Sequence, residues 1–367
     1  MRILEVCEFS AGICGVWTRV RQEASEFARL GYKVHVFSSN RMQGSDDIAK
    51  CDESLDGIKI RRFSAKQGKF LTRNVTFFNF DKEIIKLKPD VIITHTIHPH
   101  SFKALSYALK SSIPCYLVTH APFNVRRSMI LSIAKVFYDI FNRTSSKLQK
   151  FTKIIAVTKW EIPYLLKLGV GKEKIVYIPN GLPDEFFKQK KIKTCKDVLF
   201  LGRISPVKDI ETLISAAKSL PNLNFSIVGS AEQNYLKKLN ARLNAVKNAG
   251  IYPPVYDLKK KIRLIDEHMI FVLPSKREAM PQALLEAMAR GKIAISSKTD
   301  GGKEIIQDGK TGFLFEIGDY RKLAEIIKNN INGNKRIQRI QRNAARESRK
   351  YAWKSLIKFY TQLFNTK

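Results

Sequence analysis

Between Ile270 and Ser296 the chain reads strand, loop, helix, strand, the order from which α/β sheets are built. IFVL (Ile270–Leu273) leads into the loop PSKREAM, then the helix PQALLEAMAR, and Lys292 to Ser296 returns as a second strand. Pro281 suits the first turn of a helix, where its missing N–H would be unpaired anyway. Gly291 then stops the helix. The unit is α/β, and ligands of such units bind in the crevice at the carboxyl ends of the strands.

That crevice carries two glutamates, Glu278 on the loop and Glu286 in the helix. Backbone N–H groups at a helix start attract an anion, most often phosphate. Met280, Gln282 and Ala283 are expected to offer such groups, whereas Pro281 cannot. Glu286 lies about 7 to 8 Å along the axis from Pro281 at 1.5 Å per residue. This separation suits a carboxylate accepting ribose hydroxyls while a diphosphate sits at the helix start. Taken alone, the spacing also fits a surface helix with two solvated glutamates.

The same alternation runs through the rest of the chain. Ile3 to Phe9 reads as a strand, followed by the loop SAGICGVW, a helix from about Thr18 to Leu30, and the strand YKVHVFSS. Further strands are expected at Ile58 to Phe63, Val91 to Thr94, Cys115 to Thr119, Ile154 to Val157 and Ile175 to Tyr177. After Asn180-Gly181 the pattern restarts. Val198 to Leu201 is a strand, Ile210 to Ser219 a helix, and Phe225 to Val228 a strand closed by Gly229. A basic helix over Glu232 to Asn248 follows. Both halves are therefore expected to be parallel, doubly wound α/β sheets. One last helix is expected from Arg346 to Phe364.

Composition narrows the class. At 367 residues the chain exceeds one typical domain and fits two. Its five cysteines are scattered, odd in number and without a C-x-x-C pair, which argues against a disulfide framework or zinc site and suits a reducing compartment. The start MRILEVCEF is a strand pattern rather than a leader, and no run approaches 18 uninterrupted apolar residues. The expectation is a cytoplasmic protein, soluble or peripheral at the inner membrane face.

The net charge of +32 points to anionic partners or to a solvated, lysine-rich surface. Between Val91 and Trp160 one acidic residue, Asp139, faces ten Lys and Arg. No nucleic-acid module accompanies the charge, so no nucleic-acid partner is expected. Asn124 to Phe151 reads either as a basic amphipathic helix for an anionic bilayer or as a packed helix. Arg61 to Phe78 is a second basic-aromatic stretch.

The ordered motifs together resemble those of the GT4-type retaining glycosyltransferases, a family with the two-domain GT-B fold. The glutamate segment carries the resemblance, with GRISPVKDIETLISAAK (Gly202–Lys218), IPNG (Ile178–Gly181) and DGGKEIIQDGKTGFLF (Asp300–Phe315). Asp209 stands where the family has glycine, and Lys303 where proline is frequent. The resemblance implies an acceptor-binding domain over 1–179, a donor-binding domain over 180–345, and a helix over 346–367 crossing back to the first. It also implies transfer from a nucleotide diphosphate sugar to a hydroxyl of a glycan or lipid-linked acceptor.

By the same resemblance, Arg203 and Lys208 hold the donor diphosphate, so no metal or other cofactor is expected; the chain also lacks a suitably placed D-x-D. Glu278 meets the donor sugar, Glu286 the ribose, and His120 the reacting sugar. Gly12, Gly15 and Gly229 are counted with the donor-binding residues, although Gly12 and Gly15 also read as ordinary turn glycines. The base pocket is expected near Gly250 to Val255. His95, His98 and His100 cluster after a strand, with a metal, acceptor-side or structural role open. Two further readings remain: another GT-B enzyme such as a nucleotide-sugar epimerase, and a basic nucleic-acid binder.

Overall fold

The computed structural model describes residues 1–12, 14–43, 47–70, 73–121, 147–188 and 194–365, with the side chains of 69–75 set aside. It divides into two units, Met1–Gly181 with Trp353–Lys367, and Leu182–Ala352.

The first unit opens with β1 (Arg2–Phe9), α1 (Gly15–Arg29) and β2 (Lys33–Ser39). It continues through β3 (Asp52–Leu55), β4 (Ile58–Phe63), a hairpin of β5 (Ala65–Phe70) and β6 (Arg73–Phe78), and α2 (Asp81–Leu87). Then come β7 (Val91–His95), α3 (Pro99–Ser111), β8 (Cys115–Val118), β9 (Lys153–Ala156), α4 (Ile162–Lys167) and β10 (Ile175–Tyr177). The main sheet runs β10-β9-β8-β7-β1-β2-β4-β3, parallel except for the edge strand β3. That antiparallel edge and the separate hairpin depart from the wholly parallel sheet expected.

Central strands buried on both faces read as continuous apolar runs. Here Ile3, Leu4, Val6 and Cys7 of β1 and Val91, Ile92 and Ile93 of β7 are all buried. Glu5 interrupts that run and is equally buried. The strand order reverses between β1 and β7, so the topological switch point of this sheet lies where those two strands end.

Helix α1 packs Trp17, Val20, Ala24 and Phe27 inward at three- and four-residue spacing. It begins at Gly15, three residues earlier than expected, so Gly15 belongs to the helix and not to the loop.

The second unit contains β11 (Cys195–Leu201), α5 (Ile210–Lys218), β12 (Phe225–Val228), α6 (Gln233–Leu243), β13 (Ala249–Tyr252) and α7 (Leu258–Glu267). It continues with β14 (His268–Leu273), α8 (Gln282–Ala289), β15 (Ile293–Ser297), α9 (Asp300–Ile305), β16 (Phe313–Phe315), α10 (Tyr320–Asn330) and α11 (Lys335–Ser348). All its strands are parallel, in the order β13-β12-β11-β14-β15-β16. The switch point falls between β11 and β14.

Two helix expectations need correcting. The basic helix stops at Leu243 instead of Asn248, and the Asn248 amide donates to the carbonyls of Ala217, Leu220 and Leu223. The side chain serves a corner better than a helix because it adds a donor to carbonyls where α5 and the turn after it end. The final helix is also broken: α11 ends at Ser348, a 3₁₀ turn covers Arg349–Tyr351, and α12 runs Trp353–Asn365 in the first unit. Ala352 between them is extended (φ −65°, ψ 127°). Trp353 is fully buried against Arg19 and donates from Nε1 to Gln22 at 2.9 Å. A Cβ on Gly181 would lie 2.4 Å from the Trp353 ring, which explains the glycine of IPNG.

Candidate functional site

In the second unit Lys208 and Glu278 meet at the carboxyl ends of β11 and β14. The chain leaves β11 through Gly202 and Arg203, makes a 3₁₀ turn over Pro206–Lys208, and enters α5 through Asp209. Asp209 is left-handed (φ 52°), a conformation open to glycine and tolerated by aspartate. Its carboxylate accepts from Thr212 Oγ1 at 2.8 Å and lies 3.4 Å from Lys276 Nζ. These two contacts occupy the side chain that stands at the family's glycine position.

Lys208 reaches across to the neighbouring loop. Its Nζ lies 2.6 Å from Glu278 Oε1, which also accepts from Ser275 Oγ at 2.6 Å. The two loops are tied through the backbone as well, Lys276 N donating to Val207 O at 2.8 Å. Arg203 sits apart, half-exposed and 3.4 Å from Glu232.

The glycines of DGG hold this loop in place. Gly301 N donates to Glu278 O at 3.2 Å, and a Cβ on Gly301 would come within 2.4 Å of Ala279 O. Gly229 is equally constrained: its Cβ would fall 1.7 Å from Gly202 O, where no side chain fits.

Pro281 is the N-cap of α8 rather than a residue of its first turn, and its carbonyl accepts from Leu285 N at 3.3 Å. Gln282 and Ala283 form the first turn, whereas Met280 precedes the cap with its side chain buried. Glu286 is wholly buried. Oε1 meets Lys261 Nζ of α7 at 2.6 Å, and Oε2 is buried with no hydrogen-bond partner among the described residues. Burial pushes its carboxyl above the usual range against the pull of Lys261. A buried acceptor left open is costly, so it suits a ligand hydroxyl. Lys261 was not found from sequence because it meets Glu286 from another helix, and Ser275 because, three residues before Glu278 in the same loop, it carries no motif of its own.

In the first unit, Gly12 is left-handed (φ 79°), and a Cβ there would lie 2.7 Å from Gln43 O. Gly15 has open space around it and no positive φ, so it shows no such need of glycine. His120 follows β8 in the left-handed region (φ 56°). Its Nε2 lies 3.0 Å from His95 Nδ1, and His95 Nε2 lies 2.9 Å from Glu5 Oε2.

Glu5 shares its pocket with Arg19 and Glu23 of α1, an ion pair at 3.1 Å that Tyr360 of α12 closes. Burial, then Glu23, hold the Glu5 carboxyl well above the usual range, with Arg19 opposing. Burial holds both His95 and His120 neutral, with pKa values well below the ordinary one.

His95 thus has a carboxylate partner that sequence reasoning did not supply, and so does His98, 3.2 Å from Glu8. His100 turns away and its Nε2 meets the His95 carbonyl at 2.9 Å. The three histidines do not converge on one point. Glu5, Glu23 and His95 do bring polar atoms within 4.8 Å of one another, but Arg19 already supplies the cation there.

A further unexpected residue braces His120. Glu161 accepts from Thr119 Oγ1 at 2.7 Å and Ala121 N at 2.9 Å through one oxygen. Through the other it accepts from Val157 N at 2.6 Å and Thr158 N at 3.1 Å. Burial pushes its carboxyl up to about 7 despite these four donors.

Most of Asn124 to Phe151 lies outside the described residues. Among the described residues no helix is long and apolar enough to cross a membrane.

Residues 183–347 match the family described as Glycosyl transferases group 1, and residues 13–186 match Glycosyltransferase Family 4. The chain is 25% identical over 299 residues to the sulfoquinovosyl transferase SQD2 of Arabidopsis thaliana, covering 74% of this chain and 56% of that one. It thus spans a little over half the length of that relative. It is 28% identical over 277 residues to the UDP-Gal:alpha-D-GlcNAc-diphosphoundecaprenol alpha-1,3-galactosyltransferase of Escherichia coli, covering 68% and 70% of the two chains. The solved structure of Anabaena HepE in complex with UDP-glucose superposes with a TM-score of 0.74 at 18% identity, over all of both chains. Both halves match in sequence, and both units are Rossmann-like parallel α/β sheets. The chain belongs to the GT4-type glycosyltransferases, with the GT-B fold.

Proposed function

We propose that this glycosyltransferase moves a sugar from a nucleotide diphosphate sugar to a hydroxyl of a glycan, carried on a lipid-linked or cell-surface precursor. The reaction retains the anomeric configuration and needs no metal. The observation that carries the reading is the Lys208–Glu278 pair at the switch point of the second sheet. In an open α/β sheet that is the ligand crevice.

Lys208 and Arg203 balance the charge on the departing diphosphate, which is the electrostatic task a metal performs elsewhere. Glu278, already polarised by Lys208 and Ser275, accepts hydroxyls of the donor sugar. The open Oε2 of Glu286 accepts from the ribose. Gln282 and Ala283 turn backbone N–H groups of the first turn of α8 toward phosphate. By the family resemblance, His120 meets the reacting sugar. Retention follows from same-face attack by the acceptor, with no protein nucleophile.

Two names support the substrates. HepE was solved with UDP-glucose, and the Escherichia coli relative acts on a diphosphoundecaprenol-linked sugar. The net charge of +32 supports contact with the anionic surface where such acceptors reside.

The test is a thermal-shift screen against a panel of nucleotide sugars, followed by transfer assays with lipid-linked acceptors in the presence of EDTA. The expected product is an α-linked glycan from an α-linked donor, formed at the same rate with the chelator. Inversion or loss of turnover in EDTA rejects the mechanism, and sugar conversion without any acceptor favours an epimerase.

A further inference from the structure

Glu5, His95 and His120 form a line of two hydrogen bonds, 2.9 and 3.0 Å long, from the buried centre of the first sheet to the end of β8. We propose that Glu5 and His95 are positioning residues that hold His120 as its Nδ1–H tautomer, so that its ring presents a hydrogen-bond donor. The inference rests on the reading that His120 faces the reacting sugar.

Each bond holds one proton, and a neutral imidazole has one N–H and one bare nitrogen. If Glu5 is protonated, its O–H donates to His95 Nε2. His95 Nδ1–H then donates to His120 Nε2, and His120 carries its own proton on Nδ1. If Glu5 is ionised, every arrow reverses: His95 Nε2–H donates to the carboxylate, His120 Nε2–H donates to His95 Nδ1, and His120 Nδ1 is bare. One proton on a buried carboxyl therefore sets the polarity of a ring nitrogen two residues away in the line.

The surroundings select the protonated form. Arg19 and Glu23 of α1 face Glu5 and neutralise each other at 3.1 Å, leaving no unmatched cation among the described residues for a second carboxylate. Tyr360 closes on that ion pair, and His100 closes on His95 through its backbone carbonyl. Both Glu5 Oε1 and Glu23 Oε1 are buried with no hydrogen-bond partner among the described residues, an arrangement that disfavours two adjacent ionised carboxylates. Burial and Glu23 raise Glu5 in the same direction.

Nitrogen-15 spectra of histidine-labelled protein, assigned with a His120→Asn variant, decide the tautomer without any substrate. The expected result is a protonated Nδ1 on His120 at neutral pH; a protonated Nε2 overturns the proposal. A glycosyl-transfer assay adds a second readout. Glu5→Leu breaks the line and should lower kcat about tenfold, roughly one hydrogen bond's worth, with KM held. Glu5→Gln, whose amide donates to His95 as the carboxyl does, should restore most of that loss. A Glu5→Gln enzyme as slow as Glu5→Leu counts against the relay. If Glu5→Leu does not fold, the wild-type spectrum and the Glu5→Gln rate decide. Failure of the transferase reading alone leaves the tautomer result standing.

Discussion

Lys261 Nζ holds one oxygen of Glu286 at 2.6 Å while the other oxygen is buried, with no hydrogen-bond partner among the described residues. The half-satisfied carboxylate depends on a cation from a different helix. Lys261→Met removes that cation and should lower stability by about 2 kcal/mol, since a buried charge loses its partner. Adding Glu286→Gln should recover most of the loss, because the neutral amide needs no cation. Chemical denaturation of the two variants and wild type checks this; equal stability of all three would contradict it.

Lys208 and Glu278 should behave as one unit. Either alanine substitution is expected to reduce kcat/KM by about a hundredfold or more while the far-ultraviolet spectrum is unchanged. Because the side chains touch, the double variant should be scarcely worse than either single one. Additive losses in the double-mutant cycle would mean that the two act separately.

Asp209 offers a test of backbone conformation. Asp209→Gly relieves a left-handed non-glycine residue but deletes its contacts to Thr212 and Lys276, so stability should change by less than about 1 kcal/mol. Asp209→Ala loses the contacts and keeps the strain, and should cost about 2 kcal/mol. Thermal unfolding of both ranks them, and an alanine variant as stable as the glycine one would remove the strain argument.

His100 gives a signed pH dependence. Burial, then His98, lower its pKa from 6.5 to about 4. The unfolded chain therefore binds a proton between those values that the folded chain does not. Stability is present in full above about 6.5 and falls as pH drops toward 4. The slope is about 1.4 kcal/mol per unit for one such group. His95 and His120 act in the same direction, whereas the raised Glu5, Glu161 and Glu286 oppose them. The comparison must therefore be between wild type and His100→Gln, whose pH slope from 6.5 to 4 should be flatter by about that amount.

Much of the scaffold was legible because β-α-β alternation is a local pattern. The strands at Ile58, Val91, Ile175 and Phe225 begin where apolar runs begin. The break before Trp353 was hidden because Tyr351 and Trp353 continue one helical rhythm while being buried in different units. The antiparallel edge strand DESL is short and acidic, with nothing in its pattern to mark it. At the site, Lys208, Glu278 and Glu286 lay inside recognisable motifs. Ser275, although inside the same segment, carried no signal, and Lys261, Glu5 and Glu161 act through contacts to distant parts of the chain. A polar residue in the middle of an apolar strand, as Glu5 is, was the one available clue.

Glu161 has a consequence for building chimeras. The turn that presents His120 is shaped by a carboxylate some forty positions downstream, which gathers donors from Thr119, Ala121, Val157 and Thr158. Transplanting residues 119–121 from a relative moves the imidazole but not its clamp. A graft of this turn should therefore carry the 157–161 corner with it, or the imported turn will arrive without the group that shapes it.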